Sequence, residues 1–211
     1  AAQETEFMSP NQMYYLYNQY KDPKNHPKFK AKFGKEYKEV MAKIENILQT
    51  KYPKLKAFAD WQVNELLPTL YDYYNEVYKK IYRTDMPWNQ NYAGRLYTEG
   101  VAESPLDLLG GNGMHIGSSN VTGKSTHERN DNNSPIQIKD GTDALFTYLN
   151  DMEYFAAYAE PLNFVSKIFS NKQIKDAIEI LHGKDMNKLI NTILGRVATR
   201  GTQSPTMAAI V

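Results

Sequence analysis

The sequence predicts an all-α fold, an irregular bundle of about six helices with a long polar, mostly non-regular insert. First, apolar residues recur at spacings of three and four through most of 1–84 and 143–201, which is typical of amphipathic helices. Second, this periodicity stops between 85 and 142, where glycine and asparagine accumulate. Third, no segment shows the sustained alternation of a strand, and Ile136-Gln137-Ile138 is the best short candidate.

Three helices are predicted in the N-terminal part, 1–84. Ser9 and Pro10 supply an N-cap and a first helical residue for a short helix rich in tyrosine. A second helix is predicted over 29–51 and a third over 54–83, each with apolar residues along one side. Pro68 lies inside the third helix and lacks an N–H for the helical ladder, so a kink or break is predicted there.

Three further helices are predicted in the C-terminal part, 143–201. Asp143 can cap the fourth helix, which Glu160-Pro161 ends or turns sharply. The fifth helical region has a candidate division at 170–171 and a predicted stop at His182-Gly183. The sixth helix is predicted to end near Gly201, and it belongs to the same domain as the first three.

The insert, 85–142, is predicted to pack on the helices, because a loop of this length is ordered only when something holds it. The tail, 202–211, is expected to continue into a larger parent protein, because an exposed apolar terminus is unfavourable. The predicted anchors of the insert are its large apolar residues: Trp88, Tyr92, Leu96, Tyr97, Leu106, Leu108 and Leu109.

The composition excludes several kinds of chemistry. The chain has 211 residues and a net charge of +1, so no global field favours nucleic acid or an anionic membrane. Cysteine is absent, which removes disulfides, thiolate zinc sites and cysteine nucleophiles. No run of about 18 apolar residues occurs, so no membrane span is predicted.

The string Gly123-Lys124-Ser125 imitates the end of a phosphate-binding loop. That motif needs a glycine five positions before its second glycine, and here Ser118 stands at that position. The context also differs, because a phosphate loop follows a buried strand and opens a helix. The sequence around 114–133 offers neither element, so no nucleotide site is predicted.

Four residues of the insert could in principle meet around a metal, but their spacing matches no compact ligand pattern. We therefore predict no metal site and no cofactor. An enzyme with its site in the insert stays a separate hypothesis, which retained activity after alanine replacement of the two histidines and Glu128 would exclude. The four residues are His115, His127, Glu128 and Asp131.

Acid–base catalysis requires paired carboxylates or a histidine with an orienting partner. Glu153 and Glu160 are seven residues apart and could share a helix face, but the polar side of an amphipathic helix accounts for them. No nucleophile has an identifiable base. The sequence therefore predicts no catalytic residue.

Tyrosine is abundant, with 16 residues, nine of which crowd the first and third predicted helices. Its flat apolar ring and polar hydroxyl suit protein interfaces. We therefore expect aromatic residues both in the core and in contacts with other proteins. The interface candidates are Tyr14, Tyr17, Tyr20, Trp88 and Tyr92.

Lysines lie among aromatic residues between 21 and 35, and this combination can stack on and neutralise single-stranded nucleic acid. The candidate contacts are Lys28, Lys30 and Lys32. In the competing interpretation the aromatic residues fill the core and the lysines are solvated. The net charge near zero favours core packing and protein contact over nucleic acid.

Four stretches carry a resemblance to a known family: FADWQV (58–63), PWNQNYAGR (87–95), PLDLLGG (105–111) and ALFTYLNDMEYFAAYAEP (144–161). They resemble a segment of the very large, multi-domain virion proteins of tailed bacteriophages, and the similarity spans roughly 55–201. Those proteins are packaged in the particle, and the resemblance implies delivery into the host cytoplasm with the genome.

The resemblance implies a non-catalytic structural or cargo module, a fragment of a larger protein located in the virion. Its partners would be other segments of the parent protein or other virion proteins. The alternative is a nucleic-acid-associated accessory module of an ejected polymerase-like virion protein. The family transfers no catalytic residue to this chain.

Overall fold

The computed structural model describes residues 8–89, 91–94, 96–99 and 134–198. These residues form an all-α structure, as the sequence predicts. An isolated antiparallel bridge between Thr98 and Ile136 is the β structure in the described part of the chain. The helices are α1 (Pro10–Tyr20), α2 (His26–Phe33), α3 (Tyr37–Lys51), α4 (Pro53–Trp61), α5 (Leu67–Tyr82), α6 (Gly141–Ser170), α7 (Lys172–His182) and α8 (Lys184–Ala198).

The chain separates into two compact units. The described residues of the first unit fall within 1–75, 86–101 and 128–150. Those of the second fall within 76–85, 102–127 and 151–211. The first unit therefore contains α1 to α4 with the beginnings of α5 and α6, and the second contains α7, α8 and the ends of α5 and α6.

Helix α1 begins as the sequence predicts. The Ser9 hydroxyl accepts a hydrogen bond from the Gln12 amide at 3.2 Å, and the Gln12 side chain accepts one from the Ser9 amide at 2.9 Å. This reciprocal capping box satisfies two N–H groups that the helix itself leaves without partners. Pro10, which has no N–H, occupies the first helical position.

The predicted single helix over 29–51 is divided at Gly34. Gly34 has φ of +72°, a conformation that ends α2 and that glycine adopts without steric cost. A short 3₁₀ turn, Gly34–Glu36, then leads into α3. Phe29 and Phe33 of α2 are both buried in the core.

Two prolines inside predicted helices have different outcomes. Near Pro68 the helix is interrupted by a π turn, Gln62–Leu66. The turn includes Asn64, whose carbonyl would accept a hydrogen bond from residue 68 in a regular helix, but proline has no N–H to donate. Of the two alternatives predicted at Glu160-Pro161, an end of the fourth helix or a sharp turn, the end is wrong, because α6 contains Pro161 and continues to Ser170. Burial of Phe155 and Leu162 on either side offsets the roughly 3 kcal/mol that an interior proline costs.

The core of the first unit is built around α1. Two segments from outside the helices lie against it: the Ile136 side chain is fully buried, and its amide donates to the Lys28 carbonyl at 3.2 Å. The Gln137 amide donates to the Tyr97 carbonyl at 3.0 Å, which ties 96–99 to 134–138. The fully buried large side chains of the helices are Tyr14, Leu16, Phe29, Met41, Ile44, Leu48 and Tyr74.

In the second unit, the helix ends match the predicted punctuation. The Asn171 side chain caps α7 by accepting from the Gln173 amide at 2.9 Å. Gly183, with φ of +83°, ends α7 and begins the turn into α8. The Tyr154 hydroxyl donates to the Val197 carbonyl and so links α6 to α8.

Candidate functional site

The densest group of charged side chains in the first unit surrounds Asp60 of α4. Lys21 Nζ lies 2.6 Å from Asp60 Oδ1, and Lys56 Nζ lies 3.1 Å from Oδ2. The Tyr17 hydroxyl donates to Oδ1 at 2.7 Å. Both ammonium groups also lie over the Tyr17 ring, 4.6 and 5.1 Å from its centroid. Three donors therefore converge on one carboxylate.

The Asp60 cluster is poorly suited to acid–base catalysis. Burial opposes ionisation of Asp60, but hydrogen bonds from Lys21, Tyr17 and Lys56 outweigh it and hold the pKa of Asp60 below its ordinary value. Burial and the bond to Asp60 raise the pKa of Tyr17, so its phenol stays protonated. The pKa of Lys56 is raised, mainly by its hydrogen bond with Tyr17 and then by its hydrogen bond with Asp60. An ionised carboxylate that accepts from three donors is a weak base, so the cluster acts as a tie between α1 and α4.

A second polar group is buried beside the π turn. The Tyr14 hydroxyl donates to Gln62 Oε1, and Gln62 Nε2 donates to the Ala93 carbonyl at 3.3 Å. Gln19 Nε2 lies 3.5 Å from the same carbonyl, and Asn25 Nδ2 donates to the Gln19 carbonyl at 2.7 Å. Burial raises the pKa of Tyr14. π turns recur at functional sites. In this one the Gln62 side-chain amide hydrogen bonds both to Tyr14 of α1 and to Ala93, and so links 91–94 to α1.

Asn18 is the exception within the buried polar residues. It lies on α1 with 2% of its surface exposed, and neither side-chain polar atom has a hydrogen-bond partner among the described residues. A buried amide without partners is destabilising by about 1–3 kcal/mol. Asn18 is therefore a local cost to the stability of the first unit.

A concave site lies where α2 meets the start of α3. We call it the aromatic notch; it has a volume of about 540 Å³ and is lined by His26, Pro27, Lys30, Ala31 and Tyr37. Ligand pockets typically enclose roughly 300–1,000 Å³. The lining is largely apolar and aromatic, with Lys30 as its cationic side chain.

The rings of the notch are held in place from behind by Tyr20. The His26 ring stacks on Tyr20 with centroids 4.4 Å apart and an interplanar angle of 19°. Its Nε2 lies 3.1 Å from the Tyr20 carbonyl. Because a carbonyl can only accept, Nε2 carries the hydrogen, and Nδ1 of neutral His26 is an acceptor. Tyr37 lies beside both rings, with centroids 6.1 Å from His26 and 6.3 Å from Tyr20.

In the second unit the notable feature is exposed apolar surface. No residue of α7 is buried by the described chain, and in α8 only Gly195 is. Ile180 is 82% exposed and Leu181 is 74% exposed. We call the exposed large aliphatic and phenylalanine residues of this unit the C-terminal apolar set: Phe164, Ile168, Ile180, Leu181, Leu189 and Ile193.

The three lysines predicted to contact nucleic acid have different environments. Lys28 is buried, and its backbone carbonyl accepts from Ile136. Lys32 forms an ion pair with Glu99 at 2.6 Å. Lys30 is exposed and lines the aromatic notch. Of the three, Lys30 alone combines exposure with a neighbouring aromatic cavity.

The predicted interface residues are likewise divided. Tyr14 and Tyr17 are buried within the first unit, where they pack against other helices and hydrogen bond to Gln62 and Asp60. Tyr20 supports the notch, and Tyr92 packs edge-on against Tyr148 with centroids 5.4 Å apart. Trp88 is 52% exposed beside Tyr71. The sequence offered little to single out the C-terminal apolar set, because its residues repeat at the spacing of ordinary core positions.

The insert residues weighed for metal binding and nucleotide binding lie outside the described residues, as do the predicted anchors Leu106, Leu108 and Leu109. Where the chain is described, no three histidine or acidic residues lie together as a metal site would require. Of the described helices, none combines the length and apolar character that crossing a bilayer requires. Comparison with protein families, curated proteins and solved structures finds no match to this chain.

Proposed function

We propose that this chain is a non-catalytic structural or cargo module of a large bacteriophage virion protein, and that it acts through protein–protein contacts. Its partners are other segments of the parent protein or other virion proteins. Its location is the phage particle, from which it is delivered into the host cytoplasm with the genome. The virion assignment rests on the sequence resemblance, and the contact function rests on the C-terminal apolar set.

The C-terminal apolar set supports protein contact because it leaves a large favourable free energy unused. Fully burying a Leu, Ile or Phe side chain stabilises by about 1.5–3 kcal/mol. Ile180 and Leu181 are 82% and 74% exposed, so covering them recovers most of that amount for each. Helices α7 and α8 are amphipathic, with apolar residues at spacings of three and four, and a helical or apolar protein surface would complement them.

Site-specific photocrosslinking in purified particles tests this function. A photoreactive amino acid is placed at position 180 of the phage-borne protein, and the particles are irradiated. We expect an adduct with another virion polypeptide or another part of the parent chain. The matched control is position 188 of α8, where Lys188 is exposed and polar, and there the yield should be much lower. Absence of the protein from purified particles, or equal yields at both positions, would contradict the proposal.

A second candidate function is that of a nucleic-acid-associated accessory module of an ejected polymerase-like virion protein. The observation that favours it is a local charge asymmetry. Residues 21–43 contain eight lysines and three acidic residues, a local net charge of +5 in a chain whose total is +1. This excess lies in the first unit, in the same segment as the aromatic notch.

A further inference from the structure

The aromatic notch combines three properties on one part of the molecule. Its walls are rings and apolar groups, its volume is about 540 Å³, and it lies within the lysine-rich segment 21–43. Lys30 lines the cavity itself, and Lys24, Lys35 and Lys38 are exposed nearby in the sequence. A cavity of this composition suits a ligand that is flat, apolar on its faces and attached to negative charge.

The His26 ring is preorganised for stacking. Tyr20 supports it from one side by ring stacking and fixes its orientation through the bond from Nε2 to the Tyr20 carbonyl. Nδ1 has no partner among the described residues and can accept from an amino or imino group. A rigid ring that already has one stacked neighbour loses little conformational freedom when it receives another.

We infer that the aromatic notch binds one unstacked base of single-stranded nucleic acid, with Lys30 contacting the adjoining phosphate. Bases stack on protein rings by their faces, and lysines neutralise the backbone, so binding of this kind needs both elements side by side. Asp60 and Glu99 pair with Lys21 and Lys32, and an excess of positive charge remains around the segment, which favours a polyanion over a neutral partner. This inference specifies a site for the second candidate function, and it is independent of the contacts made by the C-terminal apolar set.

Fluorescence anisotropy with the full chain and a labelled twelve-residue oligothymidylate tests the site at about 50 mM salt, where phosphate contacts are strong. Lys30→Glu should weaken binding roughly tenfold, and Lys30→Arg should restore it, because the phosphate contact is mainly electrostatic. The control is Lys43→Glu, which changes the same charge at an exposed position of α3 that does not line the notch. It should weaken binding by less than about threefold through the general field alone.

The stacking half of the site is tested by changing His26. His26→Ala should weaken binding by about fivefold or more, whereas His26→Phe, which keeps a ring, should remain within about twofold of the native chain. An abasic oligomer of equal length should bind at least about fivefold more weakly than oligothymidylate, because it has phosphates but no bases. Circular dichroism confirms that each variant is folded.

Several results would overturn the inference. They are absence of binding at low salt, equal affinity for the abasic oligomer, equal effects of Lys30→Glu and Lys43→Glu, or displacement of the oligomer by polyglutamate at equal charge concentration. The last result would indicate a general anion surface or an acidic-peptide site. Loss of oligomer binding leaves crosslinking at position 180 unchanged, so failure here is distinguishable from failure of the protein-contact function.

Discussion

The two units of this chain differ in how far they cover the apolar side chains of one helix each, α1 and α7. In the first, α1 is almost entirely enclosed: its residues Tyr14 and Leu16 are at most 1% exposed, and Leu48 of the neighbouring α3 is 0% exposed. In the second, α7 contributes no buried residue and Ile180 is 82% exposed. Both helices have apolar residues at helical spacing, so the difference lies in how much of each helix the described residues cover. This contrast supports the proposal that the second unit contacts another protein.

Leu48 and Leu181 should differ most in the loss of stability that alanine replacement causes. Leu48→Ala removes a side chain that is 0% exposed and should lower the free energy of unfolding by about 2–5 kcal/mol. Leu181→Ala makes the same chemical change at a residue that is 74% exposed and should stay within about 0.5 kcal/mol of the native chain. Urea unfolding of both variants measures the difference. Similar losses would show that the second unit is packed as tightly as the first.

Two helical glycines give the next comparison. A Cβ at Gly141 would overlap the ring of Tyr14 and lie 3.0 Å from the Asn11 carbonyl. Gly141→Ala should therefore destabilise the chain by about 1–3 kcal/mol, although alanine favours helices. A Cβ at Gly195 meets no heavy atom of the described residues within 4 Å. Gly195→Ala should raise stability by roughly 0.5–1 kcal/mol. Thermal unfolding midpoints that move in the same direction would contradict this contrast.

Asn18 tests whether the first unit is fully optimised. Asn18→Leu replaces a buried amide that has no partner among the described residues with an apolar side chain of similar shape. The expected gain is about 1 kcal/mol in the free energy of unfolding, because the cost of the unpaired groups is removed. Asn75, whose Oδ1 accepts from the Met86 amide at 2.7 Å, is the control. Asn75→Leu should be destabilising, and a loss for Asn18→Leu of similar size would mean that Asn18 has a partner.

The contribution of Asp60 to stability at low pH should be smaller than any of these effects. The pKa of Asp60 is lower in the folded chain than its ordinary value, so its stabilising contribution is present above the ordinary pKa. That contribution is lost as the pH falls through the lower folded value. Because the Asp60 side chain is 35% exposed, we expect less than about 1 kcal/mol. Asp60→Asn should reduce the loss of stability between pH 7 and pH 3, whereas Asp185→Asn, at a side chain 95% exposed, should leave it unchanged.

Local features of the fold were predictable because a few neighbouring residues determine them. Ser9 with Gln12, and Asn171 with Gly183, cap helices through contacts within four residues of the helix ends. Of the end or sharp turn predicted at Pro161, the end was wrong, because tertiary burial of the flanking residues outweighed a local cost. The division at Gly34 had a local signal, a glycine followed by charged residues, that the strong apolar periodicity masked.

The candidate sites depend on contacts between residues that are far apart in the sequence, so they were harder to predict. Lys56 and Asp60 are four apart on one helix, but Lys21 is 39 residues from Asp60, and no local pattern indicates that they meet. The sequence predicted Lys30 and its neighbours as nucleic-acid contacts. It did not predict the cavity lined by His26 and Tyr37, which lie on either side of the turn that begins at Gly34. Exposure of Ile180 is equally invisible in the sequence, because an amphipathic repeat does not show what covers it.

We propose that another protein of the particle covers the C-terminal apolar set. The most direct measurement is how much of the double variant Ile180→Lys, Leu181→Lys is incorporated into purified phage particles beside the native chain. Lysine is favourable in the last turn of α7, and both positions are exposed, so the free chain should keep its unfolding midpoint. We predict at least a tenfold loss of incorporation; incorporation equal to that of the native chain would show that these residues make no contact needed for packaging.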